Sequence, residues 1–345
     1  MGKWDAGNGD GDSAACRVEV TVLPLAIRHG VPRAKLSRSE GCGTFEIVIP
    51  FFFFLFGIVI GSFLNVCISR IPEGLSVVTP GSRCPRCEKA IKPYDNIPIL
   101  SWLLLRGKCR NCHLPISPMY PVVELITGLM FVLTYYSFGL TVPTFKFLLF
   151  GCLLIVLIMT DIVARILPDA VNWFGFGTGL AFAVKIFPGS FWEFRYRSVW
   201  FHDRYLPPMV VSLADALLGA ALGSLLLLGA ATLYRLVRKR EGMGMGDVKM
   251  MAMVGTFLGV RGTFLTILLG TCLGSIFGIL WVVGLYLAGW NRQLAVRGAR
   301  RGLGSENSLR WAIASQYQLP LGTFLGAGAF LVVYCLPWVL HRVPI

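Results

Sequence analysis

The sequence has few charged residues. Asp, Glu, Lys and Arg make up 14% of its 345 residues, whereas an average soluble domain carries about 25%. Apolar residues make up 55%, the mean hydropathy is +0.67, and several apolar runs reach the roughly 20 residues that a helix needs to cross a bilayer. This composition excludes an ordinary soluble domain and predicts a polytopic membrane protein.

Histidine is also scarce, and common catalytic and nucleotide-binding motifs are missing. The four histidines lie in loops or at the chain end, away from any nucleophile that a Ser/His/Asp centre would need. Neither a Walker-type phosphate loop nor a dinucleotide fingerprint occurs in the sequence. The net charge of +14 does not indicate nucleic-acid binding, because basic residues concentrate between the apolar runs, where they set membrane orientation.

The apolar runs predict an all-α polytopic membrane protein with about eight transmembrane helices. A polar segment, 68–118, separates the first span from a transmembrane core at 119–340, and the extension 1–45 is expected to be disordered or to reflect a misassigned start. The sixth span is short and meets the seventh at Gly-Val-Arg-Gly, so seven or nine spans also fit the pattern. The predicted spans are 46–67, 119–138, 144–161, 170–187, 210–234, 247–260, 263–289 and 319–340.

Lys and Arg residues orient these spans. The segment 68–118 contains eight of them, and 235–249 and 290–318 contain five each. With eight spans these three segments share one face, which the positive-inside rule makes cytoplasmic. Asp161 and Asp247 are then predicted at the cytoplasmic face. Four basic residues just before the first span would lie on the opposite face, against the rule.

The polar segment contains two Cys-x-x-Cys pairs separated by 21 residues. This separation is just outside the usual window for a four-cysteine zinc site, and the two-residue gaps let both thiolates of a pair reach one tetrahedral ion. Disulfides or free thiols are the alternative, although a reducing cytoplasm argues against disulfides. We expect a structural zinc ion, since four thiolates leave no open position for catalysis. The predicted ligands are Cys84, Cys87, Cys109 and Cys112.

Three aspartates lie at the ends of predicted spans. Asp169 and Asp247 each precede an apolar run and could be helix N-caps. Asp161 ends a run, where the helix dipole disfavours a carboxylate. Two aspartates at equal depth could meet, share one proton and act as general base and general acid in peptide hydrolysis. We therefore take Asp161 and Asp247 as candidate catalytic residues, with Gly242, Gly244 and Gly246 giving a substrate backbone close access.

Five segments together resemble the bacterial prepilin peptidases, a family of Gly-x-Gly-Asp aspartic membrane proteases. The resemblance implies cleavage of the basic leader from type IV prepilin or type II secretion pseudopilin precursors at the cytoplasmic face of the bacterial inner membrane. It makes Asp161 and Asp247 the catalytic pair. Many members also methylate the new N-terminus with S-adenosylmethionine, for which the sequence shows no fingerprint. The segments are GSFLNVCISRIP (61–72), the CPRC and CRNC frame with 95–124, TDIVARILPD (160–169), GMGMGDVK (242–249) and LPLGTFLGAGA (319–329).

The chain departs from this family at two positions beside the first aspartate. Thr160 stands where the family usually has Ile, and Val163 where it often has an acid, so the acid at that position is not expected to be essential. Gly61, Asn65 and Arg70 in the first motif are expected to pack and cap helices more than to bind substrate.

Two other hypotheses come from different functional classes. The first is a proton-coupled transporter that uses Asp161, Asp247 and Glu124 as a relay, but the sequence lacks the internal repeat typical of transporters. The second is a non-catalytic assembly factor of a pilus or secretion machine, which would not need both aspartates. The expected partners are therefore precursor proteins and the lipid bilayer, and not nucleic acid.

Overall fold

The computed structural model describes residues 43–185, 208–239, 244–287 and 320–335. The chain divides into two compact units, Met1–Phe52 and Phe53–Ile345. Of the first unit, only the beginning of one helix is described, so the packing below is that of the second. The expectations for the N-terminal extension, for Gly242 and for the basic loop 290–318 fall outside the described residues.

The long elements of the described chain are all helices. The polar segment consists mainly of turns, with a short 3₁₀ helix at Pro93–Asn96 and two isolated β-bridges. Five helices (α1, α3, α4, α6 and α7) are long and apolar enough to cross a membrane, and α8 is a shorter apolar helix. An all-α polytopic membrane protein is thus confirmed. The helices are α1 Gly43–Arg70, α2 Leu100–Leu104, α3 Met119–Phe138, α4 Val142–Ala164, α5 Asp169–Lys185, α6 Pro208–Arg238, α7 Met245–Leu287 and α8 Leu321–Tyr334.

Helix α7 is a hairpin whose two arms are 245–258 and 260–287. Gly259 between them has a φ of 67°, a left-handed conformation that favours glycine. A Cβ atom at Gly223 of α6 would lie 2.8 Å from the Met251 carbonyl oxygen and 2.9 Å from Cγ2 of Thr263. In a straight helix those two residues would be roughly 18 Å apart. The arms therefore fold back side by side, and they correspond to the predicted spans 247–260 and 263–289.

An aspartate that the sequence analysis did not single out lies against this hairpin turn. Asp215 of α6 accepts a hydrogen bond from the backbone N–H of Val260 at 3.2 Å. The first N–H groups of a helix have no partner within that helix, and in a membrane each needs one. Asp215 therefore helps to start the second arm of α7.

Helix α4 lies in the core of the bundle. Phe147 and Phe150 are almost fully buried and stack on Phe138 of α3 and Phe257 of α7, with ring centroids 4.6 and 4.7 Å apart. Leu154 and Leu157 of α4 are also fully buried. Van der Waals packing of this kind is a main source of helix association in lipid. It fixes the end of α4, and with it the position of Asp161.

The first motif joins α1 to α3 and to the polar segment. A Cβ atom at Gly61 would lie 2.7 Å from the Cα atom of Glu124, so the two helices cross closely there. Asn65 donates to the Tyr120 carbonyl at 3.0 Å. Arg70 donates to two backbone carbonyls of the polar segment at 3.1 and 3.2 Å. These contacts agree with the expected packing and capping roles.

Candidate active site and four-cysteine cluster

Asp161 lies in the last turn of α4. The helix continues to Ala164, three residues beyond the predicted end of this span, and Arg165 closes it in a left-handed conformation. The Arg165 N–H donates to the Asp161 carbonyl at 3.0 Å. The side chain of Asp161 points inward, and the residue is only 7% exposed. A carboxylate buried at a helix C-terminus needs partners from elsewhere in the fold.

Asp247 lies in the first turn of α7 and is also 7% exposed. Its backbone N–H donates to the Gly244 carbonyl at 3.3 Å. At Gly246 an added Cβ atom would lie 2.9 Å from Cβ of Leu167, so the chain before Asp247 passes close to the connection between α4 and α5. Asp247 is thus held near the end of α4.

The two aspartates meet above Gly322, at the start of α8. A Cβ atom at Gly322 would lie 3.0 Å from Oδ2 of Asp161 and 3.0 Å from Oδ1 of Asp247. The two carboxylate oxygens are therefore separated by no more than twice that distance. The same Cβ atom would lie 3.0 Å from Cδ1 of Leu167, so a larger residue would have to displace its neighbours by a few tenths of an ångström. The structure brings together the two residues that the sequence singled out.

Thr323 holds Asp161 in place. Its backbone N–H and its hydroxyl both donate to Oδ2 of Asp161, at 2.7 and 2.9 Å. Because α8 begins at Leu321, this N–H is one of the first groups of the helix and has no partner within it. The positive end of the helix dipole also faces the carboxylate. In the sequence this segment stands out only by its resemblance to the family, and nothing there indicates a role for Thr323.

Three residues close to Asp161 in the sequence, which were also considered above, do not join the aspartate pair. Asp169, a possible N-cap, accepts from Lys249 Nζ at 2.6 Å in an exposed ion pair between the starts of α5 and α7. Thr160 is fully buried, and its hydroxyl donates to the Leu157 carbonyl at 3.1 Å. Val163 is 58% exposed. The position that often carries an acid in the family is therefore directed away from the core.

The four cysteines of the polar segment form one cluster. Their Sγ atoms all lie within 4.8 Å of one another, and those of Cys84 and Cys112 are 3.9 Å apart. In a tetrahedral site with Zn–S bonds of about 2.3 Å the sulfur atoms are about 3.8 Å apart. The cluster therefore fits a four-thiolate metal ion.

The two Cys-x-x-Cys pairs share one backbone geometry. Cys84 and Cys109 each donate an N–H to the carbonyl five residues later, at 3.1 and 3.0 Å, and each accepts from the N–H four residues later, at 2.9 Å. Glu88 and His113 occupy equivalent left-handed positions, with φ of 57° and 55°. His113 is thus an exposed turn residue. Backbone N–H groups of Cys112 and its neighbour donate to the Cys109 sulfur and hold the pKa of this thiol below its ordinary value.

Two consecutive parts of the chain match known protein families. Residues 55–138, from α1 to α3, match the profile of the bacterial peptidase A24 N-terminal domain. Residues 148–279 match the type IV leader peptidase family, and they contain both aspartates.

The chain belongs to the type IV leader peptidase family.

Curated proteins named prepilin leader peptidase/N-methyltransferase are similar to this family member over most of their length. The Myxococcus xanthus protein is 38% identical over 254 residues, covering 74% of this chain and 69% of the relative. The Klebsiella pneumoniae protein is 36% identical over 226 residues (64% and 90%), and the Aeromonas hydrophila protein is 33% identical over 281 residues (74% and 84%). No solved structure matches the chain.

Proposed function

We propose that this membrane protein is an aspartic endopeptidase that removes the basic leader from type IV prepilin or type II secretion pseudopilin precursors. The observation that carries the proposal is the meeting of Asp161 and Asp247 above Gly322, both of them buried. The names of the relatives support the substrate class. The positive-inside rule supports an active site at the cytoplasmic face of the bacterial inner membrane.

In the proposed mechanism the two carboxylates share one proton and hold a water molecule between them. Two donors from Thr323 stabilise negative charge on Asp161, so Asp161 acts as the general base. It takes a proton from the water while the water oxygen attacks the scissile carbonyl carbon. Asp247 gives its proton to the carbonyl oxygen. The tetrahedral intermediate then collapses and the C–N bond breaks. The leaving amine takes up the proton held by Asp161, and one hydroxyl of the intermediate returns its proton to Asp247 as the new carboxyl group forms.

The four-cysteine cluster would hold a zinc ion in a structural role. Four thiolates fill a tetrahedral ion, and a segment of about fifty residues has little core of its own. Cys84, Cys87, Cys109 and Cys112 are the ligands in this proposal. The zinc ion would supply folding energy to the segment and take no part in the cleavage.

Methylation is proposed as a second activity, because the relatives' names include N-methyltransferase. It would transfer a methyl group from the sulfonium of S-adenosylmethionine to the new N-terminal amine, which loses a proton. Incubation of purified protein with a precursor and methyl-labelled S-adenosylmethionine tests this step. Label in the cleaved product is expected, and cleaved product without label would overturn this second proposal while leaving the first intact.

The main test compares Asp161→Asn, Asp247→Asn and the control Asp169→Asn in a cleavage assay with a prepilin in membranes. Each of the first two is expected to lower cleavage by at least about a thousandfold, because the pair acts as a unit. Asp169→Asn removes an exposed ion pair and should keep cleavage close to the parent's. Near-normal processing by either Asp161→Asn or Asp247→Asn would remove that residue from the mechanism. A transporter would show no cleavage in the parent.

A further inference from the structure

Helix α2 of the polar segment directs its leucines outward and its polar contacts inward. Leu100, Leu103 and Leu104 are 50%, 59% and 74% exposed, and their spacing puts them on one face of the helix. On the other side, Ser101 is buried and Trp102 is half-buried, and both donate to backbone carbonyls of the same segment, at 3.0 and 3.3 Å. The leucines are therefore not part of the core of this segment. A contiguous exposed apolar surface of this kind marks a protein-binding or membrane-binding site.

A hydrogen bond fixes α2 at the level of the membrane boundary. Oε2 of Glu124 in α3 accepts the backbone N–H of Ile99, the residue before α2, at 2.7 Å. Helix α3 has 20 residues, so it is about 30 Å long and needs its whole length to cross the hydrocarbon core. Glu124 is five residues into α3, about 7.5 Å from its start. Because its side chain is directed back toward that start, α2 begins close to the boundary.

Helix α3 exposes apolar residues at the depth of this hydrogen bond. Val122, Leu125 and Ile126 lie on either side of Glu124 and are 46%, 44% and 43% exposed, as expected of residues that face lipid. The leucines of α2 therefore lie near the depth at which α3 exposes apolar residues to lipid.

Basic residues border this apolar surface. Arg106 and Lys108 follow α2 and are exposed. The whole segment 68–118 carries eight Lys and Arg residues against three acids. Basic residues next to a membrane span attract anionic lipid headgroups.

We propose that α2 lies in the headgroup region of the bilayer, with Leu100, Leu103 and Leu104 in the upper acyl chains and Arg106 and Lys108 against anionic headgroups. A helix in this position buries its apolar face by about 5–10 Å. The polar segment is then held on the membrane by the bond to Glu124 and by lipid contact. The proposal does not depend on the peptidase activity.

The test uses the full chain in nanodiscs of phosphatidylethanolamine and phosphatidylglycerol. A genetically encoded fluorescent amino acid replaces Leu104 in one protein, the lipid-facing Leu125 in a second and the exposed Glu88 in a third. Fluorescence is quenched either by lipids with a spin label high on the acyl chain or by iodide in the water. We expect lipid quenching at position 104 to be within about twofold of that at 125, and iodide quenching to be at least about threefold weaker than at 88.

Three results would overturn the proposal, the first two in whole and the third in its claim about anionic headgroups. Iodide quenching at position 104 as strong as at 88 would place α2 in water. Shielding of position 104 that arises only after a prepilin is added would assign the leucines to protein docking instead. Equal lipid quenching in nanodiscs without phosphatidylglycerol would remove the role of anionic headgroups.

Discussion

The four-cysteine cluster and the aspartate pair are assembled over very different lengths of chain. The four cysteines lie within residues 84–112. Each Cys-x-x-Cys pair occupies one short turn with its own backbone hydrogen bonds. The aspartate pair combines Asp161 at the end of α4, Asp247 at the start of α7 and the first turn of α8 at Gly322 and Thr323. Local turns therefore place the sulfur atoms, whereas helix packing places the carboxylates.

This difference implies that the two sites fail in different ways. The cluster depends on its ion, because the turns bring four sulfur atoms together without a large core around them. The pair depends on sub-ångström positioning inside a packed bundle, where small shifts change the rate more than the stability. Substitutions at the two sites should therefore separate stability from catalysis.

After the two aspartate substitutions, the largest expected effect is that of Cys84→Ser, which removes one thiolate from the cluster. Metal affinity should fall by at least about a hundredfold, since even outer-shell changes cost 10- to 100-fold, and the thermal midpoint should fall with it. Metal content and thermal unfolding of the purified protein measure this. Cys272→Ser, at an exposed cysteine outside the cluster, is the matched control. Cleavage per folded molecule should change little, and unchanged thermal stability would refute the structural role.

The next effect is that of Gly322→Ala, which tests the packed bundle. The added methyl group would lie 3.0 Å from an oxygen of each aspartate and from Leu167, and Leu167 leaves it little room to move away. Neighbouring atoms must shift by a few tenths of an ångström. Because a misplacement of about 1 Å costs about a hundredfold, cleavage should fall by between about tenfold and a hundredfold. Metal content should stay the same. Gly177→Ala is the control, because a Cβ atom there has no neighbour within 4 Å. Cleavage as fast as in that control would contradict the geometry of the pair.

Thr323→Val should have a smaller effect, because it keeps the backbone donor to Asp161 and removes only the hydroxyl. A hydrogen bond to a charged group contributes about 1.5–3 kcal/mol. Because the backbone donor remains, we expect the lower figure, so kcat should fall about tenfold with little change in KM. Thr323→Ser keeps the hydroxyl and should recover most of the rate. If serine and valine behave alike, the hydroxyl does not position Asp161.

Much of the fold could be predicted from the sequence because its signals are local. Apolar runs predicted the long helices of the described chain to within a few residues, although not the short α2, and Gly-Val-Arg-Gly indicated the turn in α7. Cysteine spacing predicted the cluster, because two-residue gaps constrain sulfur atoms directly. The aspartates were found through their depth, since both lie at helix ends on one face of the bundle.

The contacts that complete the aspartate pair could not be predicted in this way. Gly322 and Thr323 lie in the first turn of α8. The sequence around them does not indicate that this turn contacts the ends of α4 and α7. The bonds from Asp215 to the turn of α7 and from Glu124 to Ile99 likewise join distant segments. Each depends on which helices pack together, so the sequence shows the acid but not its partner.

The smallest expected effect is that of Asp95→Asn, which returns to the cluster and asks what an ion pair adds to it. Asp95 accepts three hydrogen bonds from Arg110, at 2.6 to 3.0 Å, and this bonding holds its pKa below the ordinary value. A carboxylate of lowered pKa stabilises the folded state above its unfolded-state pKa and loses that contribution as the pH falls through the folded-state value. The difference in thermal midpoint between parent and Asp95→Asn should therefore be small at neutral pH and shrink toward zero on acidification. Comparing parent with variant at each pH separates this difference from metal release, which acid causes in both proteins.

Glu88→Gln, an exposed acid of the same segment, controls for loss of charge. A difference that did not change with pH would show that Asp95 acts through its shape and not its charge, and a difference as large as that of Cys84→Ser would contradict a cluster that depends mainly on its ion.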